Sequence, residues 1–587
     1  MGNYLDNFEE LYERYVQPNE EAFRENYSKS CLCSGIKYED CLLDFVPVSD
    51  HEYLVMDKET GQFCGTYTVG GIQSKPTENT VSSILIADEW DIRKVMPVIF
   101  SKKWNSIYFV LNRSAAKFAS FFKLKDFIAE FPSTVKFFVD TEEMRQYFLT
   151  DHDAYLPRKI VGAQPEKYKK IFEEIHEIRV KSGAPSQNVL LSICIPTYNR
   201  GRFALNAVKT ALTSQFDAEI EIVVCNNGST INTEGYQEIK EIKDPRVQYY
   251  EFHKNGGFCC SVVNSLHKAR GKFAFILSDE DQIIPENLEA ALEWLNSHSD
   301  IGACLFSGSG IFNGNGLSSD DGFRAMAFPS EKLFEPGVDA LIGACYMCDL
   351  SGCCWNMDYI KELNVLQRIT ENKNNAYVSI YPQCSLSLFL SFQFKIIYSN
   401  IVLWSVGKKS AHSNYKFTNN ITDFQLPENR SLQMLGIVKL VKDKVSEQDL
   451  LKIIEDRLRE YFDGLSILYK VSAFASPFLR MYNWTDVCVM NYKSCLHLFK
   501  ELEAEGIIQD LPAFIAKLDK ATFNWLVCKR QQRLRTPEEN LLPALQAQVA
   551  KYYRDKGISF ENIDFGEIEK ELDGWVKDFL DRQNHAR

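Results

Sequence analysis

Several absences narrow the class of this chain before any motif is considered. It has no run of 18 consecutive apolar residues, so no membrane-spanning helix is expected. The opening segment MGNYLDNFEELYERY has no basic stretch leading into an apolar one, which argues against a secretory signal. Asp6 stands where a myristoylation site after Gly2 needs Ser or Thr. A cytoplasmic protein is expected, with a peripheral position at the inner face of a membrane as the variant of that expectation. An excess of basic charge is also missing. The chain has 66 Lys and Arg against 79 Asp and Glu, a net charge of −13. That balance disfavours a nucleic-acid partner bound through a basic face. Internal repeats and low-complexity tracts are absent. The 17 cysteines follow no regular framework. Cys194, Cys225 and Cys304 lie inside apolar runs and read as small buried hydrophobes in a reducing compartment. The densest group, CYMCDLSGCC, holds Cys345, Cys348, Cys353 and Cys354. It lacks a second CxxC at knuckle spacing, and its flanks alternate like a strand, so packing outweighs a metal role.

A chain of 587 residues is too long for one core. Four regions are expected. Residues 1–160 read as an N-terminal α/β domain of unknown role. In it the strand-like runs SSILIAD, SIYFVLN and TVKFFVD alternate with helical segments at 90–100, 114–121 and 141–149. No GxGxxG follows these strands, and TVGGIQS lacks both the third glycine and a following helix, so no dinucleotide site is expected. Residues 161–187 read as a helical linker, 188–418 as a second α/β domain, and 419–587 as an α-helical region with amphipathic patterns such as DLLKIIEDRLREYFDGLSILYKV.

The second α/β domain carries the chemistry. VLLSICIPTYNR, EIEIVVCNNGST, VQYYEFHKNGG and KFAFILSDED are buried-strand patterns, each ending in polar or glycine-containing residues. In an open α/β sheet such strand ends line one crevice, where ligands bind. Turns that lead into helices also present free backbone N–H groups suited to phosphates.

These four segments, in this order, resemble the family 2 glycosyltransferases. The resemblance is close over roughly 190–310 and looser over 310–415. It implies a GT-A, Rossmann-like catalytic domain that binds a nucleotide sugar. By this resemblance, Asp279 and Asp281 of LSDED are the acids that hold Mn2+ or Mg2+ on the donor diphosphate. A hard cation suits carboxylate and phosphate oxygens, and it offsets charge on the departing nucleotide. Many relatives carry an acid where Ser278 stands, which leaves a variant in which the metal rests on Asp281 alone. Taken without its neighbours, the acid cluster reads better as a solvated turn, or as acids favoured at the start of the helix PENLEAALEWL. Pro196, Thr197 and Tyr198 would border the base and ribose, and Arg200 would meet phosphate. Asn226, followed by Asn227, replaces the acid that usually accepts from uracil N3–H. An amide can accept from uracil or donate to cytosine, so the site is less committed to uridine and a UDP- or CDP-sugar is expected as donor. Asn255, Gly256 and Gly257 would bring backbone close to the donor. Arg270 either reaches the diphosphate or caps its helix. His412 is the candidate for a third metal ligand.

The acceptor side departs from the family. Inverting members often end the core with an acid pair that supplies the base. YVSIYPQCSLSLFL (377–390) has none, and Asp349 and Asp358 are the nearest acids. The function implied is a metal-dependent transfer of sugar to a glycan, lipid-linked or protein-linked hydroxyl, in bacterial surface polysaccharide or glycan synthesis. The alternative is an inactive GT-A module acting as a scaffold or sugar-binding protein. The C-terminal helices are the expected surface for any homo-oligomer.

Overall fold

The computed structural model describes residues 17–533 except 31, 33–34, 50, 70–79, 82, 101–102, 105, 132–134, 184–185, 214–218, 312–322, 327, 407–426 and 472–483. The chain folds into two compact units. One takes in the residues up to His253 together with Lys268–Ile301, and the other takes in Lys254–His267 together with the described residues from Gly302 onward.

The first unit begins with an α/β layer. Strands β1 (Ile84–Ala87), β2 (Ile107–Val110), β3 (Val135–Phe138) and β4 (Lys159–Gly162) form a parallel sheet in the order β3-β2-β1-β4. Alternate side chains feed two separate cores. Ile84, Ile86, Ile107 and Phe109 enter one, and Leu85, Ala87, Tyr108 and Val110 enter the other. A sheet covered on both faces needs such continuous apolar runs. A three-stranded antiparallel sheet, Leu43–Pro47, Glu52–Asp57 and Phe63–Thr68, also belongs to this layer and was not anticipated from the sequence.

Helix α1 (Pro165–Ser182) corrects the linker expectation. Its Tyr168, Phe172 and Ile175 lie four and three residues apart and are buried in the second core, which is the spacing of one helix face. The many charges that suggested a linker occupy its other faces. The Tyr168 hydroxyl also donates to Asp88 at 2.8 Å and accepts from Asn112 at 2.8 Å. The α/β layer therefore continues to about Ser182, and strand β4 lies inside it. The layer is bonded directly to the residues that lead into and through the next sheet. Asp153 accepts from Ser186 Oγ and from the Gln187 and Asn188 N–H groups. Arg158 pairs with buried Glu219 at 3.2 Å.

A second parallel sheet completes the first unit. Strands β5 (Leu191–Thr197), β6 (Ile220–Asn226), β7 (Val247–Glu251) and β8 (Phe273–Ile276) lie in the order β7-β6-β5-β8. Helices α2 (Gly201–Leu212) and α3 (Glu234–Glu241) come after the first two strands. They approach through glycine: a Cβ on Gly235 would meet the Gly201 carbonyl oxygen at 2.1 Å. That contact places Tyr236, the next residue, under the strand ends.

In the second unit, β9 (Ile301–Ile311) pairs antiparallel with β10 (Cys353–Asn356) and with Phe323–Met326. Strand β11 (Lys395–Val406) pairs antiparallel with Lys332–Phe334. Helices α4 (Val338–Cys345) and α5 (Pro382–Leu390) pack beside them. No strand comes after Val406 among the described residues; four helices do, from Pro427 to Arg533. They pack on the same unit. Lys452 pairs with Asp339 at 2.7 Å, and the Arg457 guanidinium lies 4.2 Å from the Tyr346 ring.

Gly235→Ala is expected to destabilise the protein by about 1–3 kcal/mol, the usual cost of overpacking. Thermal or denaturant unfolding would read this, and an unchanged midpoint would show that the two helices part without cost.

Candidate donor-binding site

Three strands of the second parallel sheet end in polar residues, and side-chain bonds join those ends. Thr197 closes β5. Its Oγ1 donates to Asp279 Oδ2 at 2.8 Å and lies 2.8 Å from the Tyr236 hydroxyl. Arg200 Nη1 donates to Asp279 Oδ1 at 3.1 Å and to Glu280 Oε2 at 2.8 Å. The Arg200 backbone N–H donates to the Tyr236 hydroxyl at 2.9 Å. Both oxygens of Asp279 are thus engaged, and the residue is only 5% exposed. Asp281, two residues on, is 8% exposed and its N–H donates to the Ser278 carbonyl at 3.0 Å.

Burial lifts the Asp279 carboxyl from 3.8 to about 6, against the opposing pull of Arg200 and of the Thr197 hydroxyl. Desolvation penalises the charged form more than one partly exposed guanidinium restores. A carboxylate held this way costs stability when ionised, which is usual where a site serves a ligand rather than the fold.

Asn226 closes β6. Its Oδ1 accepts from the Ser229 N–H and its Nδ2 donates to the Tyr249 hydroxyl, each at 3.0 Å. Those bonds fix which end of the amide is which. One lone pair and one N–H remain by the ordinary capacity of an amide. The backbone N–H of Asn227 donates to the Thr197 carbonyl at 2.9 Å. Pro196 is buried within β5, whereas Tyr198 beside it is 40% exposed at the strand end.

Two residues that the sequence did not single out hold the turns. Asn199 has φ +58, a left-handed conformation that Asn tolerates. Its Oδ1 accepts from the Thr230 N–H at 2.9 Å, and its own N–H donates to Ser229 Oγ at 2.7 Å. Tyr236 ties Thr197, Arg200 and Ser229 through one hydroxyl. An Asn before Arg in a strand-to-helix turn was the available hint for the first. Nothing local marks the second, because helix α3 delivers it.

Arg270 makes an ion pair that neither of its two expected roles named. It binds buried Glu221 at 2.7 Å and the Ser186 carbonyl at 3.2 Å. Glu221 and Ser192, its partner at 2.6 Å, open β6 and β5. Arg270 therefore stands at the N-terminal edge of the sheet, a strand length away from Asp279, and cannot reach a phosphate bound at the other edge.

The remaining candidates belong to the second unit. Asn255 Oδ1 accepts from the Gly257 N–H at 2.8 Å, and Gly257 has φ +85, so Asn255, Gly256 and Gly257 form a tight turn. Asp349 touches solvent, yet surrounding protein crowds it enough to push its carboxyl above the usual range. Asp358 is exposed in the first turn of Met357–Glu362, where an acid favours the helix by itself. His412 lies outside the described residues. Among the described residues, no three His, Cys, Asp or Glu side chains converge as a preformed metal cage.

Comparison with known proteins decides what this arrangement belongs to. Residues 192–344, which carry both strand ends and the acids, match the family described as Glycosyl transferase family 2. Residues 192–344 form a family 2 glycosyltransferase domain. The architecture is the α/β GT-A class expected from the sequence, preceded by an α/β layer and followed by helices. The chain is 29% identical over 191 residues to the chondroitin synthase of Pasteurella multocida, covering 31% of this chain and 18% of that protein. It is 28% identical over 314 residues to the GalNAc(5)-diNAcBac-PP-undecaprenol beta-1,3-glucosyltransferase of Campylobacter jejuni, covering 51% of this chain and 86% of that one. Against several other curated relatives it spans only 16–26% of their length. The solved S. aureus TarS 1–349 in complex with UDP-GlcNAc aligns with 58% of this chain and 92% of its own. The identity is 16% and the TM-score 0.38, a likeness too loose to place any residue. No helix among the described residues is long and apolar enough to cross a membrane.

The Asp279 geometry yields a pH-dependent expectation. An acid whose folded pKa lies above its unfolded value subtracts stability as pH rises through that interval. Asp279→Asn should therefore stabilise the ligand-free protein at pH 7.5, by up to about 3 kcal/mol. The gain should shrink below about pH 6, where the native acid is itself protonated. Melting curves of both proteins from pH 5 to 8 test this, and parallel curves would contradict it.

Proposed function

We propose that this protein transfers a hexosyl group from a nucleoside-diphosphate sugar to a hydroxyl acceptor in the assembly of a bacterial surface polysaccharide or glycan. The observation that carries the proposal is the meeting of Thr197, Arg200, Asn226, Asp279 and Asp281 at the C-terminal ends of parallel strands, where an open sheet receives a ligand.

Each residue has a role in that reading. Tyr198 and Asn226 border the base. Arg200 is the nearest cation to the acids and moves between them and the donor phosphates. Asp279 holds Arg200 and Thr197 in position, so the metal role falls to Asp281. Buried carboxylate oxygens at a phosphate site fit a hard ion such as Mn2+ or Mg2+. Such a cation, when bound, offsets the charge that develops on the leaving diphosphate. For the base, Asp349 is favoured over Asp358. Asp349 stands on a loop and is tied to no helix, whereas Asp358 already serves its helix.

A thermal-shift series with UDP, CDP, GDP and dTDP, each with and without Mn2+, tests the donor site. Stabilisation that requires nucleotide and metal together, and that is lost in Asp281→Ala, is the expected result. No shift with any pair would favour the scaffold alternative. Asn226→Asp should move the preference toward UDP over CDP by roughly tenfold (about 1.4 kcal/mol), because a carboxylate only accepts. Equal losses for both nucleotides would take Asn226 out of base recognition.

A further inference from the structure

The second unit contains a thiol cluster that the donor site does not use. Three cysteines of one nine-residue stretch lie near a fourth, Cys384, that follows about thirty residues later. Cys345 ends α4, Cys348 stands in the loop after it, Cys353 opens β10, and Cys384 lies in the first turn of α5. All four are free thiols. Two of them converge on one atom: the thiols of Cys348 and Cys384 donate to the Cys345 carbonyl oxygen, at 3.3 and 3.8 Å. One carbonyl oxygen thus brings both thiols to the same point of the structure. Cys353 turns away, donating to the Asp349 carbonyl at 3.0 Å. Gln383, next to Cys384, donates from Nε2 to the Cys348 carbonyl at 2.6 Å. The loop is thus already fastened to α5 beside the two sulfurs.

Exposure divides the pair. Cys348 is exposed, whereas Cys384 is fully buried. Burial keeps Cys384 a neutral thiol well above its ordinary titration range. An oxidant in solution therefore meets Cys348 first. A soft metal is the other ligand a thiol cluster suggests, but no three such ligands converge as a cage among the described residues.

We propose that Cys348 and Cys384 form a reversible redox pair that closes to an intramolecular disulfide when low-molecular-weight disulfides accumulate. The Cys348 thiolate attacks the small disulfide, forming a mixed disulfide and releasing one thiol. Cys384 loses its proton and attacks the Cys348 sulfur, releasing the second thiol. The two protein thiols give up two electrons and two protons, and the small disulfide is reduced to two thiols. The bond would fix the loop that carries Asp349 against α5. The effect on catalysis rests on the transferase reading above, but the covalent chemistry does not.

The test uses the full-length protein incubated with glutathione disulfide, alkylated, digested without reductant and mapped by mass spectrometry. A Cys348–Cys384 cross-linked peptide that disappears with dithiothreitol is expected. Cys348→Ser should abolish it. Cys384→Ser should leave glutathione trapped on Cys348, with an unchanged melting temperature before oxidation. A stable glutathione adduct on Cys348 of the unaltered protein, a cross-link to Cys345 or Cys353, or no modification would each overturn the proposal. Sugar transfer should fall at least about tenfold on oxidation and recover with reductant, while the nucleotide-dependent thermal shift persists. Cross-linking in a protein inactive in both redox states would sink the transferase reading and leave the thiol pair standing.

Discussion

A buried carboxylate, Asp279, is the constraint on which the donor-side architecture turns. One oxygen reaches the end of β5 through Thr197, and the other reaches the turn into α2 through Arg200. The same Thr and Arg meet again at the Tyr236 hydroxyl, so three strand ends and two helices are referred to one small polar cluster. The acid's raised pKa shows that these bonds do not fully repay its desolvation. A fold optimised for stability alone would place an amide or an apolar group there. The strained position is intelligible if the charge has a second task, namely to hold Arg200 until an anionic ligand competes for it.

The opposite edge of the same sheet uses similar residue types to a different end. Glu221 and Glu219 are buried at the start of β6, paired with Arg270 and Arg158. The Arg158 pair joins the sheet to the preceding α/β layer, and the Arg270 pair ties the sheet's own edge. Charge at one end of the sheet is therefore structural, and in the proposed function charge at the other end is what a ligand would rearrange. Strand direction separates the two, because only the C-terminal ends open into turns whose backbone N–H groups precede helices. The α/β layer is bound to the donor sheet by the buried Arg158–Glu219 pair and by the Asp153 turn, not by a passive tether.

The cysteines divide in a comparable way. Cys194 and Cys225 serve as core side chains in central strands, and burial holds the Cys225 thiol up at about 12. Cys348 differs only in standing on an exposed loop with a buried thiol behind it. The residue type is the same throughout, and access to solvent determines its chemistry.

Much of the first unit was legible in the sequence because local patterns there agree with the fold. Four apolar runs, each ending in polar residues, specified the parallel strands of its second parallel sheet, and PTYNR, NNGST and LSDED marked the ends that carry the proposed site. The sequence by itself also determined the net charge, the lack of a dinucleotide fingerprint and the helical character of the described residues from Pro427 on. Only the tertiary structure decided that Pro165–Ser182 is core rather than linker, since one buried face outweighs many surface charges in packing but not in a composition count. It alone assigned Arg270 to the far edge, because a residue's distance from the acids in sequence does not say at which end of a strand it emerges. Tyr236 as the hinge of the site and Cys384 as the partner of Cys348 were beyond any linear pattern. Both contacts depend on how helices pack across a sheet, and that is set by side-chain complementarity between segments tens of residues apart.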